Sequence, residues 1–325
     1  MLVVTPNLCF DRTLWVEAFE AGTVSRPYRA VAAAGGKGVN VARALRCLGA
    51  APQLLGLLPA DDRDRFLQLL SEEGQSLLPV EVAGSVRVAT IVVEDSGRAT
   101  VFNEPGPTVG ADEQAALLER VEQVVSAEPG TVVACSGSLP PGLPDDTYGR
   151  VAEIVQRHGG TVVVDGARAA LAAALPYGPD VVTPNLAEAR GMLAGTTLEP
   201  PHEDDSLEAD RDAAFAAARG LRERGARRAV VTVGAHGVAW VDDDGTERWL
   251  AAHQVRLANP IGAGDAFVGG LVWSLAEDRT AWQAAVATAT AVAGAAVEHE
   301  AAGYLDPVRV KELLAVTPGG RGADR

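Results

Sequence analysis

Between residues 259 and 267 the chain reads Asn259-Pro260-Ile261-Gly262-Ala263-Gly264-Asp265-Ala266-Phe267. The apolar positions that follow, from Phe267 to Leu275, have helical spacing. Glycines just before a helix expose consecutive backbone N–H groups, and the helix dipole adds positive potential, so such a stretch binds phosphate. Asp265 then lies where a carboxylate accepts a proton from an attacking hydroxyl, as phosphoryl transfer requires. The alternative is an ordinary helix N-terminus, where Gly and Asp are both common.

Upstream of this stretch, short apolar strands alternate with amphipathic helices. The predicted strands are residues 2–5, 52–58, 131–136, 161–165, 181–183, 228–233 and 237–241, and the clearest helices are residues 39–48 and 145–158. Nearly continuous Val, Ile and Leu runs between helices predict a parallel sheet that is covered on both faces. The sequence therefore predicts an α/β fold.

Three other parts of the chain depart from this alternation. Residues 15–34 and 86–103 alternate apolar and polar side chains, which predicts short antiparallel strands in a small sheet over a cleft. The acidic residues 198–210 predict an exposed loop. We expect a single domain over residues 1–316, with lid segments near 12–34 and 84–105, and a flexible tail at 317–325.

Composition excludes several classes of protein. The 325 residues are 47% hydrophobic and 22% charged, which is typical of a globular protein with a full core. The net charge of −15 argues against nucleic-acid and anionic-membrane partners, but not against small phosphorylated ligands in a cleft with local arginines. Three isolated cysteines favour the reducing cytoplasm. Residues 281–297 are charge-free but rich in alanine, so they predict a buried helix.

A second glycine-rich stretch begins a predicted helix at residues 35–42, Gly35-Gly36-Lys37-Gly38-Val39-Asn40-Val41-Ala42. Its spacing differs from that of a Walker A loop, since Gly38 stands where Ser or Thr is required. The glycines permit close approach of a ligand to the backbone, and Lys37 and Asn40 offer donors to hydroxyls or a phosphate. A flexible turn with a solvated lysine is the alternative.

Two loops follow predicted strands at the edge where α/β proteins bind ligands. Ser138 lies in the first loop, residues 136–142, which also fits a rigid Pro-Gly turn. The second begins at Thr183 and places Asn185 and Glu188 three residues apart, which also fits a helix capping box.

Individual residues elsewhere are weaker candidates. Asp11 follows the first strand and is a candidate ligand for sugar hydroxyls or a solvated loop residue. Arg87 begins the second inserted segment and is either a phosphate ligand or a surface arginine. Residues 232–237 are either a nucleotide contact or a tight turn.

The order and spacing of these motifs resemble the phosphofructokinase B family of sugar kinases, in the ribokinase superfamily. The similarity extends over residues 1–316, with residues 35–42 resembling the N-terminal signature and residues 259–267 the C-terminal one. The resemblance implies a ribokinase-like α/β fold: a mostly parallel sheet flanked by helices, with a small β-sheet lid. It also implies ATP and Mg²⁺ as cofactors, and leaves open a monovalent cation and a homodimer formed through the lid.

The resemblance assigns roles to individual residues. Asp265 is implied as the catalytic base, with Gly262, Ala263 and Gly264 as the anion hole. Asn185 and Glu188 match the N-x-x-E motif that organises Mg²⁺ and phosphate, which implies that they hold the ion through water. The nucleotide side comprises Asn185, Thr232, Gly234, Gly237, Gly262 and Gly264, and the sugar side comprises Asp11, Gly35, Gly36, Lys37, Asn40, Arg87 and Ser138.

Within the family, the sequence is most similar to kinases of hexose phosphates, such as fructose 1-phosphate, fructose 6-phosphate or tagatose 6-phosphate. It departs from their pattern at Leu8, Ala89 and Thr183. The alternatives are a kinase of an unphosphorylated sugar, such as ribose or fructose, and a catalytically silent regulator that binds sugar or nucleotide. The intact Asp265 argues against the silent regulator.

Overall fold

A sheet of nine strands forms the centre of the part of the chain that the computed structural model describes, residues 1–166, 168–195 and 206–316. Across the sheet the strands are β13 (Glu247–Ala251), β12 (Gly237–Val241), β11 (Arg228–Thr232), β10 (Val181–Val182), β9 (Thr161–Gly166), β8 (Val132–Gly137), β1 (Leu2–Asn7), β4 (Gln53–Pro59) and β5 (Leu77–Val82). Neighbouring strands from β11 to β5 are parallel, whereas β12 and β13 are antiparallel additions at one edge.

Helices cover both faces of this sheet, which explains why its central strands are apolar at nearly every position. One face carries α1 (Lys37–Cys47), α2 (Arg63–Glu72), α8 (Ala263–Glu277) and α9 (Trp282–Val297). The other face carries α3 (Ala111–Ala127), α4 (Thr147–Arg157), α5 (Arg168–Ala174), α6 (Leu186–Ala194) and α7 (Leu207–Glu223). The last helix, α10 (Pro307–Ala315), packs against α9.

A second, four-stranded sheet projects from the carboxyl-end edge of the first. It contains β3 (Arg29–Gly35), β2 (Cys9–Val16), β6 (Arg87–Glu94) and β7 (Ala99–Asn103), in that order. β2 follows β1 after a single residue, and β3 leads directly into α1. Because of these short connections, the small sheet stands beside the ends of β1 and α1. The α/β fold with a small second sheet is confirmed.

The structure corrects three details of the sequence prediction. Residues 17–28 lie outside the strands of the small sheet, whose central pair, β2 and β6, is parallel and not antiparallel. The strand at 237–241 is antiparallel because a tight turn connects it directly to β11. Residues 207–210 belong to α7, so they are not loop; the rest of the predicted loop at 198–205, like the predicted tail from 317, lies outside the described residues.

The alanine-rich stretch at 281–297 forms the buried helix α9, as predicted. It packs closely against α8, where Ala289 and Val292 lie next to Gly270. Among the described residues, no helix combines the length and the apolar character needed to cross a membrane.

Candidate active site

The candidate residues from distant parts of the sequence meet at the carboxyl ends of the parallel strands. This edge of an open α/β sheet is where ligands bind, because loops from several strands and the N-termini of the following helices converge there. Here the ends of β1, β8, β9 and β10 face the N-termini of α1, α6 and α8. The small sheet stands at one side, so a cleft lies between the two sheets.

Asp265 lies in the first turn of α8, and its side chain is almost fully buried, with 6% exposure. Its Oδ2 accepts a hydrogen bond of 2.7 Å from Nδ2 of Asn40 in α1. Burial raises the pKa of this carboxyl to about 7, although the nearby Lys37 ammonium and the Asn40 amide act in the opposite direction. A carboxyl with a pKa near the working pH both accepts and releases protons readily, which is what a general base requires.

The helix N-terminus beside Asp265 is open. Gly262 precedes α8 in a left-handed conformation (φ 83°), and no side chain caps the helix. A Cβ on Gly262 would approach Ala302 and the backbone of Gly303 at 3.0–3.1 Å, so the close packing of this turn favours glycine. Gly264 is exposed, with no atom within 4 Å of where its Cβ would lie. The backbone N–H of Gly264 thus borders open space, consistent with an anion hole, whereas the N–H of Ala263 donates to the Pro260 carbonyl at 3.3 Å.

Lys37 lies between two carboxylates from different elements. Its Nζ is 3.5 Å from Asp165 Oδ2, at the end of β9, and 3.4 Å from Glu188 Oε1, in the first turn of α6. The negative charge of Asp165 is the main reason why the pKa of Lys37 lies above its usual value. Its side chain keeps 40% of its surface exposed, so the ammonium is fixed by charge yet accessible from the cleft.

Asn185 and Glu188 form the capping box that was the alternative interpretation of their spacing. Glu188 N donates to Asn185 Oδ1 at 2.8 Å, and Asn185 N donates to Glu188 Oε2 at 3.0 Å. Capping occupies only one carboxylate oxygen, because Oε1 of Glu188 faces Lys37. Glu188 can therefore cap α6 with one carboxylate oxygen and face the cleft with the other.

Asp11 and Gly35 are paired by close approach across β2 and β3. A Cβ on Gly35 would lie 2.3 Å from the carboxyl carbon of Asp11, so only glycine leaves room for this side chain. Asp11 Oδ1 accepts from the Cys9 thiol at 3.2 Å, and burial raises the pKa of Asp11. Gly36 adopts φ 116° just before α1, a conformation that also favours glycine.

Arg87 is held over the end of β1 and is not a solvated surface residue. Its guanidinium donates to the carbonyl of Asn7 from Nε (3.4 Å) and Nη2 (3.3 Å), and to the carbonyl of Glu104 from Nη1 (3.1 Å). Asn7 also donates from Nδ2 to Ser138 Oγ at 3.0 Å, which brings the loop after β8 to the same place. Within the described residues, no carboxylate lies within ion-pair distance of Arg87.

The predicted nucleotide residues lie farther along the same edge. Asn185 and Thr232 are joined by a backbone bridge between the ends of β10 and β11. Gly234 is exposed in the turn that follows, with open space around it. Gly237 differs, because its Cβ would lie 2.2 Å from the Leu250 carbonyl, so close packing against β13 by itself explains this glycine.

Sequence reasoning missed Asp165, although the signal for it was present. It ends the apolar strand β9, and a carboxylate at the carboxyl end of a parallel strand enters the cleft by the same rule that selected Ser138 and Asn185. Arg43 and Glu73 were also missed. Both are polar residues in helical or turn segments, and only the tertiary structure places them behind Asn40.

Comparison with known proteins agrees with this geometry. The model of the pfkB family carbohydrate kinases matches residues 1–309. The chain is 31% identical over 314 residues to a 1-phosphofructokinase of Escherichia coli K12, covering 96% of this chain and 95% of that protein.

Among solved structures, phosphofructokinase-2 from Escherichia coli in complex with potassium is similar with a TM-score of 0.83 and 26% identity, covering 97% of this chain and 98% of that one. The same enzyme in complex with fructose-6-phosphate gives a TM-score of 0.82 at the same identity and coverage.

Proposed function

The chain belongs to the pfkB family of carbohydrate kinases, and from that premise we propose that it transfers the terminal phosphoryl group of ATP to a hydroxyl of a phosphorylated ketohexose. One observation supports the phosphorylated substrate most directly. Arg87 presents a guanidinium in the cleft whose partners are backbone carbonyls, with no carboxylate to neutralise it among the described residues. A guanidinium whose charge no carboxylate neutralises, next to a hydroxyl donor, suits a phosphate group and is of little use to a neutral sugar.

The names of the relatives support the same substrate class. One is a 1-phosphofructokinase, and the solved neighbour was crystallised with fructose-6-phosphate. We therefore propose fructose 1-phosphate, fructose 6-phosphate or tagatose 6-phosphate as the acceptor. A kinase of an unphosphorylated sugar is not favoured.

A substrate screen tests this proposal. ADP release is measured with fructose 1-phosphate, fructose 6-phosphate, tagatose 6-phosphate, fructose and ribose, each with ATP and Mg²⁺. We expect the highest kcat/KM with one of the three sugar phosphates. A higher kcat/KM with fructose or ribose would refute the proposed substrate class.

In the proposed mechanism, Asp265 is the catalytic base. The substrate hydroxyl gives its proton to the Asp265 carboxylate while its oxygen forms a bond to the terminal phosphorus of ATP, and the bond between that phosphorus and the bridging oxygen of ADP breaks. The N–H groups at Gly262, Ala263 and Gly264 stabilise negative charge on the transferring group.

The remaining candidates are proposed to hold the two substrates. Asp11 accepts hydrogen bonds from sugar hydroxyls, and Gly35 and Gly36 allow the sugar to approach the backbone at the start of α1. Lys37, Asn40, Arg87 and Ser138 contact the sugar phosphate. On the nucleotide side, Asn185, Thr232 and Gly234 border ATP. Gly237 does not contact ATP but allows the chain to pack closely after the turn.

The carboxylates of the cleft fit Mg²⁺. This ion prefers hard oxygen ligands, binds few protein carboxylates and retains several waters. Asp165 and Glu188 supply two carboxylates that converge on one positive charge, the Lys37 ammonium. We propose that Glu188, with Asn185 beside it, holds Mg²⁺ through water. When bound, the ion neutralises charge on the phosphates of ATP.

Replacing Glu188 by Gln tests this metal role. The amide still accepts the backbone hydrogen bond of the cap but carries no charge, so we expect the Mg²⁺ concentration for half-maximal rate to rise more than the sugar KM does. Titration of the rate with Mg²⁺ at fixed ATP measures the first quantity, and titration with the sugar phosphate at saturating Mg²⁺ measures the second. Equal changes in the two quantities would mean that Glu188 serves only as a cap.

We also propose that the small sheet is a lid and that two chains associate through it. Val31, Thr13, Ile91 and Val101 form one row across its four strands. The valines at both ends of this row are exposed, Val31 by 43% and Val101 by 47%. Exposed apolar patches of this kind mark interaction surfaces in soluble proteins.

Sedimentation velocity tests the dimer. We expect a dimer at micromolar concentrations, and dissociation when Val101 is replaced by Glu, because a charge in the patch is costly to bury. A parent chain that sediments as a monomer would exclude the lid dimer.

Three further proposals concern the whole chain. We propose a single kinase domain over residues 1–316, a cytoplasmic location, and activation by a monovalent cation. The last of these is supported by the potassium in the solved neighbour.

A further inference from the structure

A line of buried hydrogen bonds continues behind Asp265, beyond the residues that face the cleft. Arg43 lies three residues after Asn40, on the same side of α1, and only 5% of it is exposed. Its Nη1 donates to Asn40 Oδ1 at 2.6 Å, and Asn40 Nδ2 donates in turn to Asp265 Oδ2 at 2.7 Å. Asn40 therefore connects a buried cation to the proposed base.

Arg43 is itself held from several directions. Glu73, the residue that follows α2, accepts from Nε at 2.7 Å and from Nη2 at 2.8 Å. Gln75 donates to the same Glu73 carboxylate at 3.0 Å, and Nη2 of Arg43 also donates to the Ala34 carbonyl. The Tyr304 ring lies 5.6 Å from the guanidinium carbon. Such a two-point pairing fixes the plane of the guanidinium as well as its position.

The orientation of the Asn40 carboxamide follows from these two neighbours. Its oxygen meets an N–H donor of Arg43, and its NH₂ group meets the carboxylate of Asp265. Rotation by 180° would set the NH₂ group against the guanidinium and the oxygen against the carboxylate. Both contacts would be repulsive in a buried site, where unpaired polar groups are costly.

We propose that Arg43, anchored by Glu73, is a positioning residue that fixes the Asn40 carboxamide so that it always donates to the carboxylate of Asp265. This inference rests on the proposed role of Asp265 as the base. Arg43 touches neither substrate in this scheme and acts only through Asn40.

The charges around Asp265 show what the donor from Asn40 contributes. Burial, Asp165 and Asp11 favour the protonated form of Asp265, whereas Lys37 and the hydrogen bond from Asn40 favour the ionised form. A carboxylate that loses a hydrogen bond to its ionised form binds its proton more tightly. Disorder in the Asn40 amide would therefore raise the pKa of Asp265 and reduce the fraction of active base.

A double variant, Arg43→Met with Glu73→Gln, tests the proposal. It removes the buried ion pair as a whole, so no unpaired charge remains, and such replacements commonly preserve stability. We expect kcat to fall about tenfold, as for the loss of a hydrogen bond to a charged group. We also expect the acidic limb of the pH–rate profile to move up by about one pH unit, with the KM for ATP and the unfolding temperature close to the parent values.

Arg43→Lys and Arg46→Met complete the experiment. The lysine keeps a cation next to Glu73, which preserves folding, but its single ammonium lacks the planar fork that spans Glu73 and Asn40, so the acidic limb should again move up. Arg46→Met removes an exposed arginine from the same helix and should change neither kcat nor the acidic limb of the pH–rate profile. If the double variant fails to fold, the acidic limb of the pH–rate profile of Arg43→Lys tests the proposal instead.

An unchanged acidic limb in the folded Arg43 variants would overturn the proposal, as would a loss of activity that only follows a lower unfolding temperature. These outcomes differ from a failure of the proposed function. In that case the parent chain would phosphorylate no ketohexose phosphate, or Asp265→Asn would keep its turnover.

Discussion

Asp265→Asn is expected to lower the turnover of this kinase by at least about a hundredfold, because the amide has the shape of the carboxylate but accepts no proton. General-base catalysis typically contributes about 10²–10⁴-fold to the rate. ATP binding should change little, since the Asp265 side chain contacts Asn40 and the substitution leaves the backbone of Gly262 and Gly264 in place. Steady-state kcat and nucleotide affinity, measured with the best substrate of the screen, check both expectations.

A matched control for this variant is available in the same helix. Glu277 is an exposed acid in the last turn of α8, far along the helix from the cleft, and Glu277→Gln should leave turnover unchanged. Near-native turnover in Asp265→Asn would show that another group accepts the proton.

Arg87→Ala is expected to lower kcat/KM for the sugar phosphate by about ten- to hundredfold. The charge-assisted hydrogen bonds that Arg87 offers to a phosphate contribute roughly 1.5–3 kcal/mol, which converts to that range. Added salt should slow the parent enzyme more than the variant, because ions screen the attraction that the variant lacks. The measurement is kcat/KM at low and at high ionic strength.

Arg12→Ala is the control for charge on the lid. Arg12 is exposed on β2 and makes no ion pair within the described part of the chain, so its loss should change kcat/KM and the salt dependence little. A loss below about twofold for Arg87→Ala would favour an unphosphorylated sugar as the substrate.

Much of the fold follows from local patterns. The apolar runs of β8 and β9 and the helical spacing after Gly262 indicate the α/β class because each depends only on residues close in sequence. The glycines at 35, 36 and 262 predict sites where the backbone approaches a neighbouring group closely or has a positive φ. The structure places each of them at such a site.

Pairing between distant segments could not be predicted in this way. The small sheet places β2 and β6 in parallel register, although some seventy residues separate them, and no local pattern encodes this choice. The same limit applies within the site. Asp165 meets Lys37, and Arg43 meets Glu73, only after the sheet and its helices are assembled.

The burial of Asp265 also sets how the stability of the folded chain depends on pH. Its pKa is about 7 in the folded chain against 3.8 for the unperturbed group, so between these values the folded state binds the additional proton. The contribution of this group to the free energy of unfolding is therefore fully present below about pH 4 and decreases as the pH rises towards 7, by on the order of 4 kcal/mol. Ionisation of the base thus lowers the stability of the folded chain. Asp265→Asn should accordingly raise the unfolding temperature at pH 8 and change it little at pH 4, and equal changes at both values would contradict this linkage.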